Sequence, residues 1–381
     1  MGLLGGGQLG RMFTMAAQSL GYRVCVLDPD RESPAGAVAD RHLCAGYEDR
    51  SALAELASLC PAITTEFENV PADTLAWLAT RSTVSPSAQA VSIAQDRMAE
   101  KAFVRRCGIA TAPYAEIRAA DDLDRCDDKL FPGILKTARL GYDGKGQVRV
   151  ASREAARVAF EGFKGAACVL EQQLDLACEV SVLLARTRSG EVCVWPVAEN
   201  VHRSGILFSS TIPAQIGANL AAEARQATIQ IATALDYVGV LCVEFFVLGD
   251  GSLCVNEMAP RPHNSGHWTL DASLTSQFEQ QARVLAGLPL GDTRALASAV
   301  LMVNLLGDLW FASGTSAPGQ AIEPDWSGAL AEPSAKLHLY GKSTPRPGRK
   351  MGHLTVVSDD LSTAQAAARR AARALGLLDW H

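Results

Sequence analysis

Charged residues make up only 20% of this 381-residue chain and aromatic residues only 6%. Basic residues are the minority among the charges: 35 Lys and Arg against 41 Asp and Glu, a net charge of −6 with His neutral. A surface without a broad excess of Lys and Arg is not built for the phosphate backbone of a nucleic acid, although local clusters can still hold small anions. Long apolar runs are also missing. The longest, Ala295 to Leu306, is interrupted by Ser298 and Asn304 and falls short of the roughly 20 residues a membrane span needs. No basic leader precedes the apolar residues at the N-terminus, so no signal peptide is read there. Ten cysteines are present, but none is paired as C-x-x-C or set at metal-ligand spacing. Several lie in apolar runs, such as Cys25 in YRVCVL and Cys254 in SLCVNE, where a free thiol is a small hydrophobe. Reducing cytosol is the compartment expected, and the length suggests two or three domains.

What is present begins with alternation. Leu3-Leu4 ends a strand, GGGQLG turns, and Arg11 to Leu20 has helical spacing. Tyr22 to Leu27 reads as a strand, Ser51 to Leu59 as a helix and Ala62 to Thr65 as another strand. Strands spaced by helices form βαβ units and a parallel sheet. The first strand is short, since Met1 stands four positions before Gly5. One helix is predicted from Ala88 to Cys107, behind the turn Ser85-Pro86-Ser87. Phe131 to Val150 reads as strand, glycine-rich loop, strand; a helix lies near Arg153 to Phe163, then strands at Val169 to Leu174 and Glu179 to Arg186. A helix from Leu220 to Leu235 precedes a hairpin, Val238 to Leu248 and Leu253 to Met258, joined by Gly249-Asp250-Gly251-Ser252. A helix around Ser276 to Leu285 follows, and Thr315 to Pro333 has the composition of a linker. The chain closes with a strand, His353 to Val357, and a helix, Ser362 to Leu375.

Five segments can carry chemistry. Gly5-x-Gly7-x-x-Gly10 opens a helix after a strand, and Asp28 closes the next strand. That spacing suits a dinucleotide, in which helix N-terminal amides hold a pyrophosphate, but also a plain βα turn or a site for another anion. Lys136 then precedes Gly141, Gly144 and Gly146 before Val148-Arg149-Val150 resumes a strand. Glycines let amides approach phosphate oxygens and lysine neutralises them, so this reads as a phosphate-covering flap rather than a bare hairpin. No helix follows, so it is not a Walker A loop.

The hairpin register is the most informative. With the turn centred on Asp250-Gly251, Glu244 lies opposite Glu257. Facing carboxylates have Cβ atoms about 4.5–5.5 Å apart and repel. A divalent cation such as Mg²⁺ would offset this, whereas a solvated sheet face is the alternative. The apolar flanks VLCVEFFVL and LCVNEMA favour the cation. Next, Arg261, His263, Asn264, Ser265, Gly266 and His267 form a polar loop suited to anionic or polar substrates. Pro and Gly within it argue against a helical zinc pair. Finally Lys342, Arg346, Arg349 and Lys350 fall within nine residues, a pattern that is a solvated turn by default and a monophosphate pocket in the right setting.

GGGQLGRM, TEFENVP, GYDGKGQ, EQxxxxxxEVSV, the Glu-x12-Glu hairpin, NEMAPRPHNSGHW and RPGRKMGH occur in this order. Together they closely resemble the N(5)-carboxyaminoimidazole ribonucleotide synthetase family, ATP-grasp enzymes of purine biosynthesis, over nearly the whole chain. The resemblance implies a mixed α/β and α+β architecture. Its parts are an N-terminal Rossmann-like domain over 1–92, an ATP-grasp region over 93–290 with a lid at about 113–173, and a small C-terminal domain over 291–381. It implies ATP as co-substrate, Mg²⁺, 5-aminoimidazole ribonucleotide and bicarbonate as the molecules handled, a cytoplasmic homodimer, and no nucleic acid or membrane. By position in the motifs, Arg97, Lys136, Gly141, Tyr142, Asp143, Gly144, Lys145, Gly146 and Gln147 match nucleotide contacts. Glu171, Gln172, Gln173 and Leu174 match the adenine hinge, and Glu179, His202, Asn256 and Glu257 match further ATP contacts. Glu244 and Glu257 match the metal ligands. Tyr142, Asp143, Lys145, Arg261 and His263 match positions around the carboxylation chemistry. Gly7, Gln8, Leu9, Asn264, Ser265, Gly266, Lys342 and Arg349 match the ribonucleotide pocket, which turns the basic cluster from a solvated turn into a phosphate site and demotes NAD at the glycine turn. The implied reaction activates bicarbonate as carboxyphosphate. Its rivals are a formate-dependent glycinamide ribonucleotide transformylase of the same superfamily, an NAD-dependent dehydrogenase, and a nucleotide-binding module without turnover.

Overall fold

The computed structural model describes residues 1–141, 144–311 and 321–377. The N-terminal alternation builds a five-stranded parallel sheet in the order β3-β2-β1-β4-β5: β1 (Gly2–Leu4), β2 (Cys25–Leu27), β3 (Arg41–Leu43), β4 (Ala62–Thr65) and β5 (Thr83–Val84). The three residues of β1 are all buried at its centre, so brevity costs the strand nothing in position. Successive side chains take opposite faces. Leu3 and Val26 pack with Met12 and Phe13 of the helix Gln8–Ser19, while Leu4, Leu27 and Ile63 pack with Leu53 and Leu56 of the helix Arg50–Leu59. Tyr22 to Val24, expected in β2, precede the ladder.

At the carboxyl edge of this sheet the glycine turn meets the chain's own acids. Gly6 N–H donates to Asp28 Oδ2 at 2.7 Å, and Gly7 and Gly10 N–H donate to the two carboxylate oxygens of Glu66. The first turn of the helix Gln8–Ser19 has no side-chain cap of its own, so Glu66 caps it across the sheet. This is the physical reason the dinucleotide reading fails: an internal carboxylate occupies the anion site a pyrophosphate would need, and it also occupies the Gly7 amide. Glu66→Ala is expected to lower stability by about 1–2 kcal/mol. Inorganic phosphate should then raise the melting temperature of the variant by more than that of the parent; equal phosphate response in both would refute the capping role.

A second, antiparallel sheet in the order β6-β9-β7-β8 comprises β6 (Tyr114–Ile117), β7 (Gly133–Thr137), β8 (Gln147–Val150) and β9 (Cys168–Gln172), with the helix Arg153–Gly162 packed on Leu135, Val150 and Leu170. The third sheet has nine antiparallel strands: β10 (Leu176–Arg186), β11 (Val192–Val194), β12 (Ala198–Arg203), β13 (Ile206–Ile212), β14 (Gly239–Leu248), β15 (Leu253–Ala259), β16 (Ala299–Leu306), β17 (Ala335–Leu339) and β18 (Lys350–Ser358). Its order is β15-β14-β10-β12-β13-β16-β18-β17, with β11 on β10. The apolar run at Ala295 to Leu306 thus becomes an internal strand whose residues from Ala299 to Leu305 are buried, linking the C-terminal strands to the same sheet. Ala364, Ala367, Ala368 and Ala371 let the last helix, Leu361–Ala374, lie close against it.

Two expectations are corrected. The helix expected over Ala88 to Cys107 is two, Ala88–Ala94 and Arg97–Arg106. Asp96 accepts the N–H groups of Met98 and Ala99 and so caps a new helix start, while Gln95 Nε2 bonds Glu68 and Val70 carbonyls. The stretch Thr315 to Pro333 is not wholly a linker. Residues 315–320 lie outside the described residues, but Ser327–Leu330 is a helical turn and a Cβ on Gly328 would meet Ala374 at 2.9 Å. No described helix is long and apolar enough to cross a membrane.

Candidate active site

The facing acids are present, and the hairpin reaches that register by an unexpected route. Leu248 N–H bonds Ser252 O, and Gly251 (φ +82°) completes a three-residue loop, Gly249-Asp250-Gly251. Near the turn the pairs are therefore Val247 with Leu253 and Phe245 with Val255, one residue off a turn centred on Asp250-Gly251. A bulge in β15 then inserts Asn256, and beyond it Glu244 pairs with Glu257. The bulge leaves both Asn256 and Glu257 half-buried beside one another, where strict alternation would have sent one to each face.

Glu244 is 8% exposed. Burial, and next the charge of Glu257, push its carboxyl up to about 7. His263 Nε2 lies 3.2 Å from Glu244 Oε1, and Arg97 Nη1 lies 3.0 Å from Glu257 Oε2. Burial first, then Arg261 and Lys350, hold His263 well below the usual imidazole range, so it is neutral. Two hard oxygen ligands crowded against each other, one of them resisting ionisation, are a donor set that Mg²⁺ fits and soft metals do not.

Beside the pair stands a second charged cluster. Glu171, 2% exposed, receives Lys136 Nζ at 2.9 Å on one oxygen and Lys101 Nζ at 3.0 Å on the other. Burial alone would raise Glu171, yet Lys136 and Lys101 hold it down at about 2. One carboxylate shared by two buried lysines leaves a net positive site, suited to a nucleotide phosphate. Glu100, also buried, accepts Met258 N–H at 2.6 Å, and burial, reinforced by Glu257, pushes it up to about 8. Glu179 Oε2 lies 2.9 Å from His202 Nδ1 on the neighbouring strand.

Lys136 is the penultimate residue of β7, and the glycine loop that follows closes where Thr137 N–H meets Gly146 O. A Cβ on Gly144 would strike Ser204 O at 2.8 Å, so only glycine lets the loop rest on the turn after His202. Tyr142 and Asp143 lie outside the described residues. Of the hinge residues, Glu171 turns its side chain to the lysines, while the Gln172 and Gln173 amides bond Pro113 and Pro132 carbonyls; Leu174 is half-buried behind them.

A cleft of about 700 Å³ joins these parts. Gln8, Leu9, Arg97, Gly141, Lys145 and Glu257 line it together with Arg261, His263, Asn264, Lys342, Arg349 and Lys350. Asn264 is 6% exposed, and among the described residues neither its Oδ1 nor its Nδ2 has a partner, which is an arrangement awaiting a polar ligand. Arg261 is anchored to Glu68, and Lys342 Nζ donates to Lys350 O at 2.6 Å. The structure does not bring Ser265 and Gly266 to the cleft. Ser265 is fully buried, and a Cβ on Gly266 would run into Leu183 and Gln277. Sequence reasoning missed Lys101, Glu100 and the anchoring acids Glu66 and Glu68. A signal was there for the first two: Arg97, Glu100 and Lys101 share one helix face that an ordinary amphipathic helix would fill with apolar residues.

The ribonucleotide synthetase preATP-grasp domain family matches residues 1–95, the ATP-grasp domain family residues 102–278, and the phosphoribosylaminoimidazole carboxylase C-terminal domain family residues 300–367. An N5-carboxyaminoimidazole ribonucleotide synthase of Brucella melitensis is 48% identical over 361 residues, covering 93% of this chain and 95% of the relative. The crystal structure of the synthetase from Thermus thermophilus is 39% identical, with a TM-score of 0.89 over 100% of this chain and 99% of the other. That of the Aspergillus clavatus synthase, in complex with ADP and 5-aminoimidazole ribonucleotide, is 30% identical with a TM-score of 0.88, covering 99% and 98%. The chain belongs to the N5-carboxyaminoimidazole ribonucleotide synthase family of ATP-grasp ligases.

Proposed function

We propose that this chain carboxylates 5-aminoimidazole ribonucleotide with bicarbonate to N(5)-carboxyaminoimidazole ribonucleotide, cleaving ATP to ADP and phosphate. The observation that carries the reading is the single cleft lined by Glu257 and Arg97, by the cations Lys342, Arg349 and Lys350, and by Asn264, whose side chain has no partner among the described residues. One end suits a nucleotide's phosphates and the other a substrate monophosphate. The three parts, 1–92, 93–290 and 291–381, would each supply one wall, as a cytoplasmic homodimer in the manner of the family.

Bicarbonate oxygen attacks the γ-phosphorus of ATP, ADP departs, and carboxyphosphate results. The substrate amine then attacks the carboxyl carbon, phosphate leaves, and the amine proton passes to that phosphate or to Asp143. Catalysis of the first half is positioning and charge neutralisation. Lys136, fixed by Glu171, and the amides of the glycine loop take phosphate charge. Glu244 and Glu257 would hold Mg²⁺, which supplies charge neutralisation to the triphosphate when bound. Arg261, set by Glu68, and Lys145 keep the anionic intermediate beside the amine. Closure of the loop excludes water that would hydrolyse it.

Phosphate release from ATP should require both bicarbonate and 5-aminoimidazole ribonucleotide. Formate dependence would select the transformylase reading instead. Lys342→Ala should raise KM for the ribonucleotide about 10–100-fold with a much smaller change in kcat, because a monophosphate contact is made equally in ground and transition states. A fall in kcat at unchanged KM would remove Lys342 from the phosphate site.

A further inference from the structure

Behind the acid pair a row of polar side chains crosses the sheet without reaching solvent. Ser210 Oγ on β13 donates to Asn200 Oδ1 on β12 at 2.8 Å, and Asn200 Nδ2 donates to Ser181 Oγ on β10 at 2.9 Å. Ser181 Oγ donates to Ser265 Oγ at 2.8 Å, which in turn lies 2.9 Å from His263 Nδ1. The three serines are completely buried and Asn200 nearly so. Ser181 is also the cross-strand partner of Glu244, so the row runs directly behind that acid.

Hydroxyls and a neutral imidazole can each donate or accept, so these contacts alone do not set a direction. One member has no such freedom. The main-chain N–H of Ser265 points at His263 Nδ1 at 3.3 Å and can only donate. Nδ1 therefore offers its lone pair and the ring proton lies on Nε2, the atom facing Glu244 Oε1; the main-chain bond is long, and the Ser265 hydroxyl at 2.9 Å is the closer donor to Nδ1. The rest follows in one polarity: Ser265 donates to Nδ1 and accepts from Ser181, Ser181 accepts from Asn200, and Asn200 accepts from Ser210. Reversing any link would set two protons against each other at Nδ1 or leave a buried donor without an acceptor.

We infer that Ser181, Asn200, Ser210 and Ser265 are positioning residues that lock His263 in its Nε2–H tautomer, so that it donates to one oxygen of Glu244 and leaves the other for a cation. The inference deepens the proposed function, since it rests on Glu244 as a metal ligand. Residues that orient a ligating carboxylate from behind are worth about 10–100-fold in metal affinity.

Asn200→Asp is the sharpest test, because it keeps the shape and reverses the direction; the charge it adds is controlled for by an uncharged companion variant. A carboxylate accepts from both Ser181 and Ser210, so Ser181 turns its proton away from Ser265 and becomes an acceptor there; Ser265 is drawn to donate to Ser181 instead of to Nδ1. Ser265→Ala, which removes the hydroxyl donor and leaves Nδ1 only the 3.3 Å main-chain N–H, is the companion. ¹⁵N NMR of histidine-labelled, ligand-free protein reads the tautomer directly, with the His263 signal identified by its loss in His263→Gln. The parent should show an unprotonated Nδ1, and both variants a mixture of tautomers. The Mg²⁺ concentration for half-maximal phosphate release should rise about 10-fold in both, with KM for the ribonucleotide unchanged. A proton on Nδ1 in the parent overturns the inference. So do variants that lose only thermal stability while tautomer and Mg²⁺ dependence stay as in the parent. Failure of the functional reading is separately visible: phosphate release would not depend on the ribonucleotide, whereas the tautomer spectrum would be unaffected.

Discussion

Glu257→Gln is expected to lower ATP turnover by at least about 10²–10³-fold while leaving the ligand-free protein as stable as the parent, or more so. The two effects part because Glu257 serves a ligand at the expense of the empty fold. Its charge stands opposite the buried Glu244, and removing it relieves that repulsion. What the fold loses is a partly exposed ion pair with Arg97, worth about 0–1 kcal/mol. The pH dependence should shift with it. Glu244 sits at about 7 in the folded chain against an ordinary 4.5, so between those values the folded state binds more protons than the unfolded. Its contribution to stability therefore falls as pH rises through that window. In the Gln variant the fall should be shallower. Melting temperatures of the ligand-free protein across this pH range measure it; activity lost only in proportion to lost folded protein would remove Glu257 from the metal site.

Glu171→Ala should have the largest effect on the fold. It strands two buried ammonium groups that share one carboxylate, and breaking such a pair costs about 3–5 kcal/mol. The melting temperature should drop by several degrees, and KM for ATP should rise because Lys136 loses the partner that aims it. Adding Lys101→Met should recover part of the stability, since one of the two stranded charges is then gone. Additive losses in the double variant would mean that Lys101 does not depend on Glu171. The stabilisation from Glu171 is fully present above its ordinary 4.5 and is lost as pH falls toward about 2, so this cluster is intact at neutral pH.

Much of the site was legible in order and in kind. Lys136, the glycine loop, the acid pair and the basic cluster each stand in a local pattern of residue types, and one cleft is lined by Gly141 and Lys145 of the loop, Glu257 of the pair and Lys342, Arg349 and Lys350 of the cluster. The acid register shows the limit of such reading. A turn centred between Asp250 and Gly251 and an unbroken ladder would place Glu244 opposite Glu257. The molecule instead turns about Asp250 alone and inserts Asn256, two departures of one residue that cancel at that pair. Neither departure has a period or a composition to announce it. The break at Gln95-Asp96 was more legible, since Asp is a preferred helix cap, but helical spacing on both sides of it hid the stop.

The sequence by itself determined the alternation that builds the parallel N-terminal sheet, the glycine loop between two strands and the family, because these rest on periodicity, turn chemistry and motifs a few residues long. Only the tertiary structure decided who neutralises whom. Glu66 is drawn to the glycine amides across 56 and 59 residues, Lys101 and Lys136 to Glu171, and Arg97 to Glu257 across 160. Partners so distant in the chain leave no spacing to read, because a charge chooses its neighbour by distance and burial in space, and the chain sets those only once it has folded.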